Sequence, residues 1–175
     1  KNPLTNQIWS VEHGPKGGDE INLIVKGGNY GWPLATFGLN YDGTVISNDT
    51  TIAGWIDPKY YWVPSIAPCG MNFYNSNVIP QWNGDLFIGA LKGRHLNKIS
   101  IKDNKVIKEE RLLSDIGRVR QVVQGPDGLI YLVTESPGLL LRIKPVELSI
   151  YDPAVPENFI LHENYPNPFN PSTQI

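Results

Sequence analysis

Several features are scarce in this 175-residue sequence, and each scarcity excludes a class of protein. Cys69 is the only cysteine, so no internal disulfide can hold the fold together. The longest uninterrupted apolar run, Leu129 to Val133, has five residues, far fewer than the roughly 18 to 20 needed to cross a bilayer as a helix. Charged residues make up only 18% of the chain beside 41% hydrophobic residues, which excludes a disordered protein.

An excess of one charge is also lacking, since the formal net charge is -2. Such a balance provides no overall field for attracting nucleic acid or an anionic membrane, so we expect neither as a partner. The charged run between Lys102 and Arg111 mixes both signs and is interpreted as the solvated outer edge of a sheet. Because the chain opens on Lys1 with no initiator Met and no leader, we expect it to be part of a longer protein.

Glycine and proline are abundant instead, with 17 and 15 residues, which favours short strands and turns over helices. A strand pattern opens at Asn6, Gly84 and Gly128, and each opening residue is followed 15 positions later by an isoleucine. These isoleucines are Ile21, Ile99 and Ile143. The second and third copies are 44 residues apart, which is the length typical of a four-stranded propeller blade.

Between these copies the sequence predicts strands and no sustained helix. The predicted strands are Met71 to Tyr74, Leu86 to Leu91, His95 to Ile101, Val106 to Leu113, Val119 to Val123, Leu129 to Thr134 and Leu139 to Ile143. Several are apolar on both faces, as expected of a sheet packed between neighbouring sheets. We therefore predict an all-β fold, interrupted by a long irregular loop from Lys26 to Ser65 of the kind that is more often functional than decorative.

A loop rich in oxygen donors follows the strand pattern that opens at Asn6. It runs from Glu12 to Asn22 and combines carboxylates, a histidine and carbonyls freed by glycine, which are the ligands that calcium takes. On composition alone the simpler alternative, a tight turn with solvated acidic side chains, is favoured.

Three basic side chains lie at strand ends that the repeat places on one rim. Lys92 ends one strand, while Arg118 and Arg120 alternate along another, so both guanidiniums should face the same side. Converging cations indicate a small polyanionic ligand. The alternative, in which each cation pairs with a surface acid, is favoured by the residues alone. Cys69 has no charged neighbour in the sequence and is interpreted as a small buried apolar side chain.

Six blocks of the sequence occur in a recognisable order: Glu12-His13-Gly14-Pro15, Gly18 to Ile24, Gly28 to Pro33, Pro64 to Pro68, Gly84 to Lys92 and Gly117 to Arg120. Together these blocks closely resemble the soluble quinoprotein glucose/sorbosone dehydrogenase family, and within it the bacterial aldose sugar dehydrogenases. The resemblance implies that residues 1–146 form about three C-terminal blades of a six-bladed β-propeller. It also implies an enzyme that oxidises aldose sugars at C1 to lactones with pyrroloquinoline quinone (PQQ) and calcium, passing electrons to an unidentified acceptor.

The resemblance also implies roles for individual residues. The carbonyls of Gly14 and Pro15 match the calcium ligands, and Asp19 and Tyr60 match positions that contact substrate. The cofactor-binding positions are Lys92, Arg118, Arg120, His13 and Ser65.

The family's general base, a histidine, and an arginine–asparagine pair both match positions upstream of this chain. Neither His95 nor His162 matches that base, so we expect no catalytic residue here and an inactive 175-residue piece. The alternative to an enzyme is a non-catalytic secreted propeller that acts as a binding module.

The C-terminal tail carries a second resemblance. Residues 163–175, which contain Tyr165 to Thr173, resemble the opening of the type IX secretion sorting domain, a small β-sandwich-type domain that would here be truncated. Residues 147–162 are predicted to be a linker. This resemblance implies a protein that the type IX secretion machinery exports, so that it is secreted or held at the cell surface.

Overall fold

The chain is built almost entirely from β-strands. A computed structural model describes residues 1–145 and the backbone of residues 159–162. The strands are β1 (Trp9–Glu12), β2 (Asp19–Leu23), β3 (Tyr60–Trp62), β4 (Pro68–Phe73), β5 (Leu86–Ala90), β6 (Leu96–Lys102), β7 (Lys105–Leu112), β8 (Val119–Gln124), β9 (Ile130–Thr134), β10 (Leu140–Pro145) and β11 (Phe159–His162). One short 3-10 helix, Pro80–Trp82, precedes β5. The described residues contain no helix with the length and apolarity that a bilayer crossing requires.

Three antiparallel sheets follow one another along the chain. Their strand orders are β1-β2-β3, β4-β5-β6-β7 and β8-β9-β10-β11. The 44-residue repeat is confirmed, because β9 and β10 begin 44 residues after β5 and β6. Ile21, Ile99 and Ile143 lie in β2, β6 and β10 and are at most 2% exposed, so the three copies place the same residue in the core. The predicted all-β fold of about three propeller blades is confirmed.

The middle sheet is buried on both faces, as its apolar strands predict. Leu86 and Ile88 of β5 pack with Trp9 of the first sheet, while Phe87 between them packs with Val122 of the third. Alternate residues of a strand point to opposite faces, so a strand that is apolar throughout can contribute to two cores. Burial of these side chains between blades is the main force that stacks the sheets.

Strand β7 forms the outer edge of the middle sheet, as the charged run predicts. Its Glu110 pairs with Lys98 at 2.6 Å and with Lys108 at 2.9 Å. Glu109 departs from the prediction of a purely solvated run. Its carboxylate accepts hydrogen bonds from Tyr60 and Trp62 of β3, at 2.6 and 2.8 Å, and so joins the outer strands of two neighbouring sheets.

Two segments differ from their sequence-based descriptions. The predicted loop from Lys26 to Ser65 is largely irregular but contains β3, because the aromatic run Tyr60-Tyr61-Trp62 suits a strand that pairs with β2. Strand β11 pairs with β10 and falls inside the predicted linker, residues 147–162. The domain boundaries themselves stay a prediction, and residues 163–175, with the sorting-domain motif, lie outside the described residues.

Candidate functional site

A buried carboxylate ties together the two loops that flank the first sheet. Asp19, the first residue of β2, is fully buried. It accepts hydrogen bonds from the backbone N–H groups of Gly14, Ile66 and Ala67 at 2.7 to 2.9 Å, and from the hydroxyl of Ser65 at 2.8 Å. With these donors around it, the carboxylate holds both loops in place. Asp19 therefore positions residues of both loops, and its contact with substrate stays a prediction.

The oxygen-rich loop is folded so tightly that glycine is required at its first turn. A Cβ atom on Gly14 would lie 1.9 Å from the carbonyl oxygen of Gly17 and 2.6 Å from the carbonyl carbon of Gly18. Among the described residues, none donates a hydrogen bond to the carbonyl of Gly14 or Pro15. Two carbonyl oxygens without internal partners, on a loop of fixed shape, are suitable ligands for a hard cation such as calcium.

The second loop links Asp19 to the predicted cofactor lysine. The carbonyl of Ile66 accepts hydrogen bonds from the N–H groups of Lys92 and Gly93, both at 3.0 Å. The side chain of Lys92 is exposed and forms no ion pair with any residue that the structure describes. The Asp19 carboxylate thus fixes two backbone segments at once, the Gly14 turn and the Lys92 turn.

His13 and Cys69 extend this cluster toward β8. The Nε2 atom of His13 donates a hydrogen bond to the carbonyl of Pro68 at 2.7 Å, which fixes a proton on that nitrogen because a carbonyl can only accept. The next residue, Cys69, is half-buried, and its Sγ lies 3.8 Å from Nη1 of Arg120. The interpretation of Cys69 as an apolar side chain without charged neighbours is therefore wrong, because its neighbour is 51 residues away in the sequence.

The two predicted arginines lie side by side on one carboxylate. Arg118 Nε and Arg120 Nη2 donate to the same oxygen, Oε2, of Glu135, at 3.1 and 2.6 Å. The prediction that both guanidiniums face one side is confirmed. Arg120 is the unpaired residue of a bulge in β8, and Gly70 is its counterpart in a bulge of β4. Bulges re-aim side chains, which accounts for the convergence at this end of the innermost strands.

We define the rim site as Arg118, Arg120 and Glu135 together with His13 and Lys92, which are linked to Arg120 through the segment from Ile66 to Cys69. The two guanidiniums lower the pKa of the Glu135 carboxyl through their hydrogen bonds. About half of each side chain of the arginine–glutamate set is exposed, so a ligand can reach the arginines from solvent. The site is thus a cationic rim with one internal acid, which suits an anionic ligand.

Two predicted site residues have other partners. Ser65 is buried; its hydroxyl donates to the Asp19 carboxylate and accepts from the N–H of Ala67. Tyr60 lies on the outer strand of the first sheet, where its hydroxyl donates to Glu109, and no described contact joins it to the rim site. The pairing of β3 with β2 places Tyr60 against the neighbouring outer strand, and its contact with substrate stays a prediction.

The contact between Tyr60 and Glu109 predicts a loss of stability in alkali. Burial, together with the hydrogen bond to Glu109, raises the pKa of Tyr60 from 10 to about 12. The folded state holds the hydroxyl proton of Tyr60 more tightly than the unfolded state does. The stabilisation that this protonated hydroxyl provides is therefore complete below pH 10 and is lost as the pH rises to about 12. Unfolding free energies of the full-length protein and its Tyr60→Phe variant, measured between pH 9 and pH 12, should converge across this window. A constant difference between the two proteins would contradict the prediction.

Glu135 is the functional residue that the sequence did not reveal. It lies in the third copy of the repeat, 44 residues after Leu91, and so at the rim position next to the counterpart of Lys92. The repeat offset was therefore the available signal.

Trp32, from the predicted loop, is 60% exposed and lines a cavity of about 60 Å³ together with His13 and Glu20. Burial raises the pKa of Glu20.

Comparison with known proteins places these observations in a family context. A family model described as Glucose / Sorbosone dehydrogenase matches residues 1–142. The chain is 50% identical over 148 residues to Aldose sugar dehydrogenase YliI of Escherichia coli, covering 82% of this chain and 40% of that protein. It is 41% identical over 144 residues to an uncharacterized protein, slr1608, of Synechocystis, covering 81% of this chain and 35% of that one.

Solved structures agree with this picture. The apo form of the soluble aldose sugar dehydrogenase from Escherichia coli superposes with a TM-score of 0.76 at 49% identity, over 81% of this chain and 42% of that one. The PQQ-bound form of an aldose sugar dehydrogenase from Streptomyces coelicolor superposes with a TM-score of 0.55 at 27% identity, over 73% and 34% of the two chains. The chain therefore spans about two fifths of the length of these relatives.

Proposed function

The chain belongs to the glucose/sorbosone dehydrogenase family, and from this premise we propose that it forms the quinone- and calcium-binding part of an aldose dehydrogenase. The observation that carries the proposal is the pairing of Arg118 and Arg120 on Glu135, with about half of each side chain exposed. Three cations, these two and Lys92, would offset the carboxylates of PQQ, which is a tricarboxylate.

Residues of this chain would hold both groups. Arg118 and Arg120 would bind carboxylates of the quinone through their remaining N–H donors, and Lys92 would add a flexible point charge. Bound PQQ supplies the acceptor for the two electrons that leave C1 of an aldose as it becomes a lactone. The carbonyls of Gly14 and Pro15 would bind calcium, which acts as a Lewis acid. His13 would keep the hydrogen bond from its Nε2–H to the Pro68 carbonyl and present its ring edge to the site.

No residue of this chain is assigned the removal of the sugar hydroxyl proton, since the resemblance places the base upstream. We propose that these 175 residues by themselves are inactive. Val123, Val133 and Leu140 on the third sheet are 39 to 42% exposed, which supports a sheet face that other blades cover in the full-length protein.

Quinone binding tests the role of the arginines. Replacing Arg120 by alanine in the full-length protein should raise the Kd for PQQ in the presence of calcium about 10- to 100-fold, because a charge-assisted hydrogen bond is lost. Lys105→Ala, on the edge strand β7, serves as the matched control and should leave the Kd unchanged. Equal quinone affinity in the Arg120 variant and the wild type would refute the assignment.

Turnover tests the enzyme itself. The full-length protein, loaded with calcium and PQQ, should reduce a redox dye when supplied with one or more of a panel of aldoses. Quinone binding without turnover on any sugar would favour the non-catalytic binding module.

We also propose that the tail, residues 163–175, directs export to the cell surface or medium through the type IX machinery. The sorting-domain motif is the support for this assignment. A full-length protein truncated before Asn164 should be retained inside the cells of its native host, as judged by immunoblots of cell and medium fractions. Unchanged export of the truncated protein would overturn the proposal.

A further inference from the structure

Glu135 accepts hydrogen bonds from both arginines of the rim site through a single oxygen atom. Its Oε2 accepts from Arg118 Nε and Arg120 Nη2, while no described residue contacts its Oε1. The backbone of Glu135 is anchored, because its N–H donates to the carbonyl of Arg118 at 2.8 Å. Its side chain, by contrast, is 45% exposed, and among the described residues only the two guanidiniums hydrogen-bond to it. The carboxylate can therefore leave the arginines without any movement of the main chain.

The arginines have donors to spare, but the charge at the site is already partly balanced. The terminal nitrogens of Arg118 contact no described residue, and Nη1 of Arg120 contacts only the Cys69 thiol, at 3.8 Å. An incoming carboxylate therefore finds N–H groups to bind. The ligand carboxylate would also lie close to the negatively charged Glu135 carboxylate, which binds the same two guanidiniums. Like charges so close together repel, and the repulsion ends when one of them moves away.

We propose that Glu135 is a resident counter-ion of Arg118 and Arg120, which a carboxylate of a small polyanionic ligand displaces on binding. The proposal deepens the proposed function, from which it takes the quinone as the ligand. In the free protein Glu135 holds the two guanidiniums on one carboxylate oxygen and neutralises part of their charge. On binding, the ligand carboxylate replaces it, and the Glu135 side chain moves into solvent. Glu135 thereby lowers the affinity for any polycarboxylate and sets how strongly that affinity depends on the charge of the ligand.

The test compares anion binding by the full-length protein and its Glu135→Gln variant in the presence of calcium. The probes are PQQ and citrate, a tricarboxylate without redox chemistry, and the readout is the Kd from calorimetric titration. Removing the competing charge should lower the Kd for both anions about three- to tenfold, and added salt should reduce this gain. Glu110→Gln is the matched control, because Glu110 also bridges two cations, Lys98 and Lys108, but on the outer edge of the middle sheet. Its Kd values should equal those of the wild type.

The outcomes separate this proposal from the proposed function. Unchanged or weaker binding of both anions by Glu135→Gln would overturn the counter-ion role, even if the wild type binds PQQ. If the wild type binds no PQQ but the variant still gains affinity for citrate, the proposed function fails and the counter-ion role is supported. Absence of binding of either anion by both proteins would overturn both proposals.

Discussion

Replacing Asp19 by alanine is expected to lower the free energy of unfolding of the full-length protein by about 3 to 5 kcal/mol. The carboxylate is fully buried and accepts bonds from three backbone N–H groups and one hydroxyl. Without it, these donors remain in a site that water does not reach, and each unsatisfied group costs about 1 to 3 kcal/mol. Denaturant titration of both proteins measures the difference.

Two further variants show whether the effect belongs to the buried site. Asp42→Ala removes an exposed carboxylate that bonds only within its own turn, to Thr44, and should cost less than about 1 kcal/mol. Asp19→Asn should cost less than the alanine variant, because its carbonyl oxygen can still accept from some of the donors. It should also speed hydrogen exchange of the Lys92 and Gly93 amides, which depend on the Ile66 loop. A loss below 1 kcal/mol in Asp19→Ala would contradict the central role given to this carboxylate.

Replacing Gly14 by alanine is expected to destabilise the full-length protein by about 3 kcal/mol or more. The added Cβ would meet two backbone groups, those of Gly17 and Gly18, at 1.9 to 2.6 Å. Backbone atoms cannot rotate away as a flexible side chain can, so the turn must open. Opening it would also break the hydrogen bond from Gly14 to Asp19 and displace the carbonyls proposed to bind calcium.

Gly138→Ala is the matched control for this substitution. Its Cβ would have no heavy atom within 4 Å, and its stability should stay within about 0.5 kcal/mol of the wild type. Thermal and denaturant unfolding of both variants would check the contrast. Similar stabilities for the two variants would show that the loop yields at low cost.

Much of the architecture could be predicted from the sequence, because its signals act over short distances. The predicted strand Leu86 to Leu91 differs from the observed β5 by one residue, since its apolar residues and flanking turns are local features. The 44-residue repeat placed β9 and β10 as the counterparts of β5 and β6 in a second blade. The three repeated isoleucines mark the buried strand of each copy.

The contacts of the site depended instead on how the blades stack. Asp19 meets Ser65, Ile66 and Ala67 across 46 to 48 positions of the sequence, and Tyr60 meets Glu109 across 49. No local pattern specifies such partners, because the same residue types serve equally well in a turn, on an edge or beside a ligand. The resemblance assigns Asp19 and Tyr60 to substrate, which stays a prediction, and the structure adds their partners within the protein, Ser65 and Glu109.

The all-β class and the period of the blades could be derived from the amino-acid sequence alone, because strand patterns and repeats are properties of the chain. What Arg118 and Arg120 contact follows instead from the way the strands pair. Their partner Glu135 lies 15 and 17 positions away, at the end of the next strand, and reaches them because the pairing of β8 with β9 brings the two strand ends together. Local sequence patterns thus place a charge on a strand, whereas the bulge in the sheet pairing and the packing of the strands decide where it points and which charge it meets.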